Sequence, residues 1–155
     1  MQQKNFQEQL IKGKIAELVF QQMLAEVGNY TILPLGYERI LPGLLDRHDS
    51  EILKPIRTAP DFVLIPKDEK DENILIVEVK FRKNPDNHNN LKELAVEQNK
   101  RWNPSYLFIA TLNSFYFGRC DEIIKDGIIK KLDEKFVPQK IQDKYIKILN
   151  TFLSN

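Results

Sequence analysis

Residues 73–81, NILIVEVKF, constrain the fold of this chain more than any other segment does. The run is apolar enough to be a buried strand, yet it contains Glu78 and Lys80. Ionised side chains in apolar surroundings are costly unless they are paired or bind a metal. Because side chains alternate between the faces of a strand, the two charges share one face. The other face is uniformly apolar, so we predict that it packs in the core. The charged face carries Ile74, Ile76, Glu78 and Lys80; the apolar face carries Leu75, Val77, Val79 and Phe81.

The preceding segment predicts a partner for this strand. Residues 61–66, DFVLIP, have strand character, and the charged residues 67–72, KDEKDE, form the turn between the two. If that turn closes a symmetric antiparallel hairpin, Val63 lies opposite Ile76. A slip of one residue would move every side chain to the other face, so this register is a specific prediction.

The same register brings two carboxylates together. Asp61 falls opposite Glu78, and directly opposed side chains have Cβ atoms about 4.5–5.5 Å apart. Two like charges at that distance require a cation between them, or one must hold a proton. The ammonium of Lys80 is one candidate. A divalent metal is the better one, because Mg²⁺ is bound by one or two carboxylates together with water and phosphate oxygens.

A third carboxylate comes from the first predicted helix, residues 5–27, which ends at Gly28 and Asn29. At about 100° per residue, one stripe of this helix carries a single charge, Glu17, which we expect to point toward the sheet. Gly13 costs about 1 kcal/mol of helix stability against alanine and would leave room beside that carboxylate. The stripe comprises Phe6, Leu10, Gly13, Glu17, Phe20 and Leu24.

The remaining pattern predicts one α/β domain over residues 1–155, with a mixed sheet of four or five strands flanked by helices. The predicted elements are an irregular strand at 30–41, a loop with a short helical turn at 42–59, a loop at 82–90, a helix at 90–102, strands at 105–112 and 114–118, and an amphipathic helix at 139–153.

Bulk properties restrict the class of protein only loosely. The net charge of +1 neither announces nor excludes a nucleic-acid partner. Cys120 is the single cysteine, which excludes an intramolecular disulfide and CxxC-type zinc patterns and is compatible with a reducing cytosol. The N-terminus is too polar for a signal peptide, and no run of about 18 apolar residues could span a membrane. We therefore expect a cytoplasmic protein without a membrane partner.

Two motifs together resemble a known superfamily. APDFVLIP followed by ILIVEVK resembles the Pro-Asp … Asp/Glu-x-Lys signature of the PD-(D/E)XK, or restriction-endonuclease-like, nucleases, with Pro60-Asp61 and Glu78-Val79-Lys80 in the matching places. GKIAELVFQQML resembles the first helix of that superfamily. In many members, including archaeal Holliday junction resolvases, this helix supplies an extra glutamate, which here is Glu17. The resemblance covers roughly residues 10–112.

The resemblance implies a restriction-endonuclease-like core and a metal-dependent nuclease acting on DNA. It implies that Asp61, Glu78 and Glu17 bind Mg²⁺ or Mn²⁺ together with the carbonyl of Val79. Lys80 would orient or help deprotonate the attacking water and stabilise the developing charge. A compact single domain fits an endonuclease better than an exonuclease, and the branch that contains the junction resolvases is one possibility.

Substrate contacts are less specific. Superfamily members related to RecB-type exonucleases carry Gln-x-x-x-Tyr in the helix after the motif; here Gln98 precedes Trp102, a departure at the aromatic position. Arg82 and Lys83 could contact phosphates, although acidic neighbours make a plain solvated surface an equal alternative.

Two other functions stay open. A catalytically inactive domain of the same fold could bind nucleic acid or a protein. Alternatively, a small α/β interaction domain could hold Glu78, Lys80 and Glu17 as structural ion pairs, either Glu78 with Lys80 or Glu17 with Lys80. Many members of the superfamily form dimers, so a homodimer is open too.

Overall fold

The structure is a computed structural model that describes residues 2–35, 59–84 and 88–154. Within these ranges the chain forms one five-stranded sheet and four α-helices. In chain order the elements are α1 (Gln2–Val27), β1 (Tyr30–Pro34), β2 (Phe62–Pro66), β3 (Leu75–Phe81), α2 (His88–Arg101), β4 (Tyr106–Ala110), β5 (Phe115–Arg119), α3 (Cys120–Asp126) and α4 (Gln139–Leu153).

The strands lie in sequence order across the sheet. β3 and β4 are parallel, and the other three neighbouring pairs are antiparallel. Parallel neighbours need a crossover connection, and α2 lies in that connection. The predicted α/β class and mixed sheet are therefore confirmed.

The hairpin register is also confirmed. β2 and β3 pair antiparallel with Val63 opposite Ile76, and Phe62 and Leu64 face Val77 and Leu75. The pairing ends at Phe62 and Val77, one residue before Asp61 and Glu78. The symmetric turn at residues 67–72 thus predicts the register of the paired residues correctly.

Helices cover both faces of the sheet. On one face, Val77 and Val79 of β3 are buried in a core that includes Phe20 of α1 and Leu149 of α4. This is the face of β3 that the alternation predicts to be core. On the other face, side chains of β4 pack with α2 and α3 in a second cluster: Leu91, Ala95, Leu107, Ile109, Cys120 and Ile123.

The predicted stripe of α1 is right only in its C-terminal half. Phe20 and Leu24 are buried, but Phe6 and Leu10 are 69% and 50% exposed. The 26 residues of α1 span about 39 Å, whereas strands of five to seven residues span about 17–24 Å. The first turns of the helix consequently extend beyond the sheet, and their apolar side chains have no sheet to pack on.

Several boundaries agree with the predictions, and one helix is new. The C-terminal helix covers 139–153 as predicted, and α1 ends where Gly28 adopts a φ of 81°. No prediction covers α3, although Gly127 at its C-cap, with a φ of 72°, is a recognisable stop signal. The predicted loop at 42–59 lies almost entirely outside the described residues, as does the strand predicted beyond residue 35.

No described helix has both the length and the apolar character needed to cross a bilayer.

Candidate functional site

One cleft of about 520 Å³ brings the predicted site residues together. It lies where α1 crosses the ends of β2 and β3, and Leu94 of α2 contributes to its wall. The five residues that the resemblance assigns to metal binding and catalysis all line it: Glu17, Asp61, Glu78, Val79 and Lys80.

Asp61 is held at the point where β2 begins. Its Oδ2 accepts a hydrogen bond of 2.8 Å from the main-chain N–H of Val79. In the register of the hairpin, Val79 would face Pro60, just before β2 begins, so the side chain of Asp61 supplies the acceptor there. The carbonyl of Asp61 in turn accepts from the N–H of Leu35, next to β1. The carboxylate is therefore positioned by both neighbouring strands.

The surroundings of Asp61 disfavour its charge. Burial raises the pKa of this carboxyl, and the charges of Glu78 and Glu17 raise it further. The Val79 N–H and Lys80 lower it, but the balance leaves a pKa of about 7. Near neutral pH, with no cation bound, Asp61 is thus close to half protonated.

Glu78 and Lys80 form an ion pair on the shared face of β3. Lys80 Nζ lies 2.8 Å from Glu78 Oε1, and the Glu78 side chain is only 15% exposed. Burial on its own would lower the pKa of Lys80. The charge and hydrogen bond of Glu78, with the charge of Asp61, outweigh burial and raise the pKa, so the amine is an ammonium.

Glu17 enters the cleft from α1. Its side chain is 14% exposed, and Lys14 Nζ lies 3.3 Å from Glu17 Oε2, one turn earlier in the helix. A Cβ added at Gly13 would meet no atom of the described residues within 4 Å, so among these residues the cleft is open beside Gly13, as predicted. Lys14 was not among the predicted site residues, although its i, i+3 spacing from Glu17 is a signal for such a pair.

The three acids line one cleft, but Glu78 and Glu17 pair with lysines and Asp61 accepts from the Val79 N–H. Among the residues that the structure describes, no three His, Cys, Asp or Glu side chains are grouped so that they could hold a metal ion as they stand. The chemistry of the donors nevertheless fits a hard cation, because Mg²⁺ and Mn²⁺ prefer carboxylate oxygens. The raised pKa of Asp61 points the same way. A metal would have to displace Lys80 from Glu78 to reach both carboxylates.

The three predicted substrate contacts have different positions. Arg82 lines the cleft, and its Nη2 donates to Asn90 Oδ1 over 3.3 Å. Lys83 lines an adjoining pocket. Gln98 is 5% exposed on the buried side of α2 and is not part of the cleft lining. Its amide nitrogen has no hydrogen-bond acceptor within the described ranges.

Comparison with known proteins adds no relative: no family model matches the chain, and no curated protein matches it significantly.

Proposed function

We propose that this chain is a metal-dependent nuclease that hydrolyses phosphodiester bonds in DNA, most simply as an endonuclease. The observation that carries the proposal is the cleft itself. Three acids from one helix and two strands share it with Lys80, and burial, together with the charges of Glu78 and Glu17, raises the pKa of Asp61 to about 7. Perturbed titratable groups gathered in a cleft are typical of active sites.

The oxygen donors available to a divalent cation are the carboxylates of Asp61, Glu78 and Glu17, with the carbonyl of Val79 as a further ligand. When bound, such a cation lowers the pKa of a water molecule and polarises a phosphoryl oxygen. Asp61 is the anchor of this set, because its hydrogen bond to Val79 fixes one oxygen, while no hydrogen bond to the other is given by the described part of the chain. Glu78 and Glu17 would exchange their lysine partners for the metal.

Lys80 supplies positive charge to this site. Burial alone would lower the pKa of Lys80, but in the metal-free cleft the charge and hydrogen bond of Glu78 raise it, so the group is an ammonium that donates hydrogen bonds. Donors that point at developing negative charge stabilise the transition state of phosphoryl transfer. We therefore assign Lys80 to orienting the attacking water and stabilising the pentavalent phosphorus centre.

The charge of the cleft suits an anionic substrate once a metal is present. Lys14, Lys80 and Arg82 balance the three acids when every group is ionised. A divalent cation shifts this balance to a net positive charge and leaves the ammonium groups available to phosphate oxygens. The small net charge of the whole chain is thus compatible with a local site for a polyanion.

Cleavage assays test the proposal. The protein is incubated with supercoiled plasmid, single-stranded and branched DNA in Mg²⁺, Mn²⁺ or EDTA. Cleavage that requires metal, and that Asp61→Asn and Glu78→Gln abolish without loss of folding, supports the nuclease. Glu8→Gln, an exposed acid on α1, is the matched control and should cleave normally. Absence of metal-dependent cleavage from all three substrates contradicts the proposal.

A specific observation also favours a second function. Lys80–Glu78 at 2.8 Å and Lys14–Glu17 at 3.3 Å already form ion pairs, which is the arrangement of a structural polar cluster. A catalytically inactive domain of this kind would bind nucleic acid or a protein without cutting. Binding of DNA that is retained in EDTA, with no cleavage in either metal, is the result that would favour it.

A further inference from the structure

A second pocket, which we name the adjoining pocket, opens directly beside the cleft. Its volume is about 410 Å³. Gln9, Phe81 and Arg82 line both spaces, so a ligand can pass from one to the other without leaving the protein surface. Other described residues that line it are Lys83, Asn84, Asn90, Leu91 and Ile109.

The two spaces differ in charge. Three acids line the cleft, whereas no acidic residue is among the described residues that line the adjoining pocket. Its charged groups are the guanidinium of Arg82 and the ammonium of Lys83. The hydrogen bond from Arg82 to Asn90 holds the guanidinium against α2. The adjoining pocket is therefore suited to an anion that follows the reacting phosphate along a chain.

The rest of the lining suits more than a phosphate. Leu91 and Ile109 are buried and give the pocket an apolar floor, and the partly buried residue Phe81 is shared with the cleft. Amide side chains supply both donors and acceptors at the rim. A concave site that combines apolar surface, amides and cations can recognise a nucleotide. The apolar surface contacts the base, the amides bind its polar edge, and the cations bind its phosphate.

We infer that the adjoining pocket binds the nucleotide next to the scissile phosphate with its base out of the stack. This inference rests on the proposed function, which places the scissile phosphate in the cleft. In a continuous duplex the base is stacked and paired, and freeing it costs a few kcal/mol. A strand that is already unpaired avoids this cost. The substrate class is accordingly single-stranded or locally unpaired nucleic acid rather than an intact duplex.

Binding measurements test the inference independently of catalysis. Fluorescence polarisation compares a labelled single-stranded 12-mer with the blunt duplex of the same sequence, in Ca²⁺ without Mg²⁺. We expect the single strand to bind more tightly by about tenfold, the equivalent of one base contact. Lys83→Gln and Asn90→Ala should weaken single-strand binding by several-fold and leave duplex binding nearly unchanged. Lys125→Gln, which removes an exposed charge on α3, is the matched control.

The outcomes separate this inference from the proposed function. Equal affinity for the two DNAs, no measurable binding, or variants that behave like Lys125→Gln would overturn the inference, even if Mg²⁺-dependent cleavage is found. Single-strand preference that depends on Lys83 and Asn90 supports it. If the protein shows that preference but does not cleave DNA in Mg²⁺ or Mn²⁺, the result supports a binding pocket for unpaired strands and contradicts the nuclease proposal.

Discussion

The carboxylate of Asp61 accepts the main-chain N–H of Val79 over 2.8 Å, a bond between residues 18 positions apart. Val79 lies between Glu78 and Lys80 in β3, so this bond fixes Asp61 against the segment that carries the other acid and the amine. Burial and the charges of Glu78 and Glu17 raise the pKa of this carboxyl to about 7, although the Val79 N–H on its own lowers it. The contact thus fixes the geometry of the candidate site, while burial and the neighbouring acids set its electrostatics.

In the absence of metal, the free energy of unfolding should decrease as the pH rises through the interval in which Asp61 loses its proton. The pKa of this group is about 7 in the folded chain, against about 3.9 for an unperturbed Asp. Between these values the folded state holds a proton that the unfolded state has released, so the free energy of unfolding falls with rising pH by up to about 1.4 kcal/mol per pH unit.

Urea denaturation in EDTA at pH 5, 6, 7 and 8 measures this dependence. Asp61→Asn keeps an acceptor for the Val79 N–H and cannot ionise, so its stability relative to the unmodified chain should increase toward pH 8. If the free energy of unfolding changes with pH in the same way for the two proteins, the pKa of Asp61 is not raised in the folded chain, which would contradict this prediction.

Removal of Lys80 should separate metal binding from catalysis. Lys80→Gln frees Glu78 from its ion partner, so we expect affinity for Mn²⁺ to be retained or raised. Cleavage should fall by about 10²–10³-fold, the usual cost of one donor to developing charge. Isothermal titration with Mn²⁺ and a cleavage time course give the two readouts. If Lys80→Gln loses metal affinity in parallel with activity, Lys80 has a structural role. A second variant, Lys80→Arg, tests whether positive charge alone restores cleavage.

Glu17→Gln should weaken metal binding without destabilising the fold. It removes one of the charges that raise the pKa of Asp61, so the metal-free protein should become more stable near pH 8. The apparent affinity for Mn²⁺ should decrease on the order of 10–100-fold if Glu17 is a direct or outer ligand. Glu8→Gln on the same helix serves as the control, and equal Mn²⁺ affinities for these two variants would place Glu17 outside the site.

Gly13 allows stability and access to the cleft to be tested together. Gly13→Ala should stabilise α1 by up to about 1 kcal/mol, because the added Cβ meets no atom of residues 2–35, 59–84 and 88–154 within 4 Å. Gly13→Leu gains helix propensity as well but places a large side chain in the cleft. We expect both variants to melt at or above the temperature of the unmodified chain, and only Gly13→Leu to lose cleavage, by tenfold or more. Full activity of Gly13→Leu would mean that substrate does not enter beside Gly13.

The sequence predicts most of the geometry around β3, because alternation and the turn at residues 67–72 are local properties. They suffice for the register and for the shared face of Glu78 and Lys80. The predictions fail where the structure depends on packing between residues that are distant in the sequence. Helical periodicity cannot say how far a sheet extends, so the exposure of Phe6 and Leu10 was not foreseen.

Spacing offers candidate ion pairs, Glu78 with Lys80 among them, but does not decide which of them form. The sequence places Glu17, Asp61 and Glu78 in the same region, but whether each carboxylate turns to a lysine or to a shared cation depends on side-chain conformation. Gln98 shows the same limit. Its position after the motif suggested a substrate contact, while packing of α2 on the sheet places its side chain in the interior.

The most direct test of the shared metal site is a crystal of the protein grown with Mn²⁺, examined by anomalous scattering. We predict one Mn²⁺ peak within about 2–2.5 Å of carboxylate oxygens from both Asp61 and Glu78, with Lys80 moved away from Glu78. Absence of a peak at saturating Mn²⁺, with the Lys80–Glu78 ion pair intact, would contradict the assignment of this cleft as a metal-dependent active site.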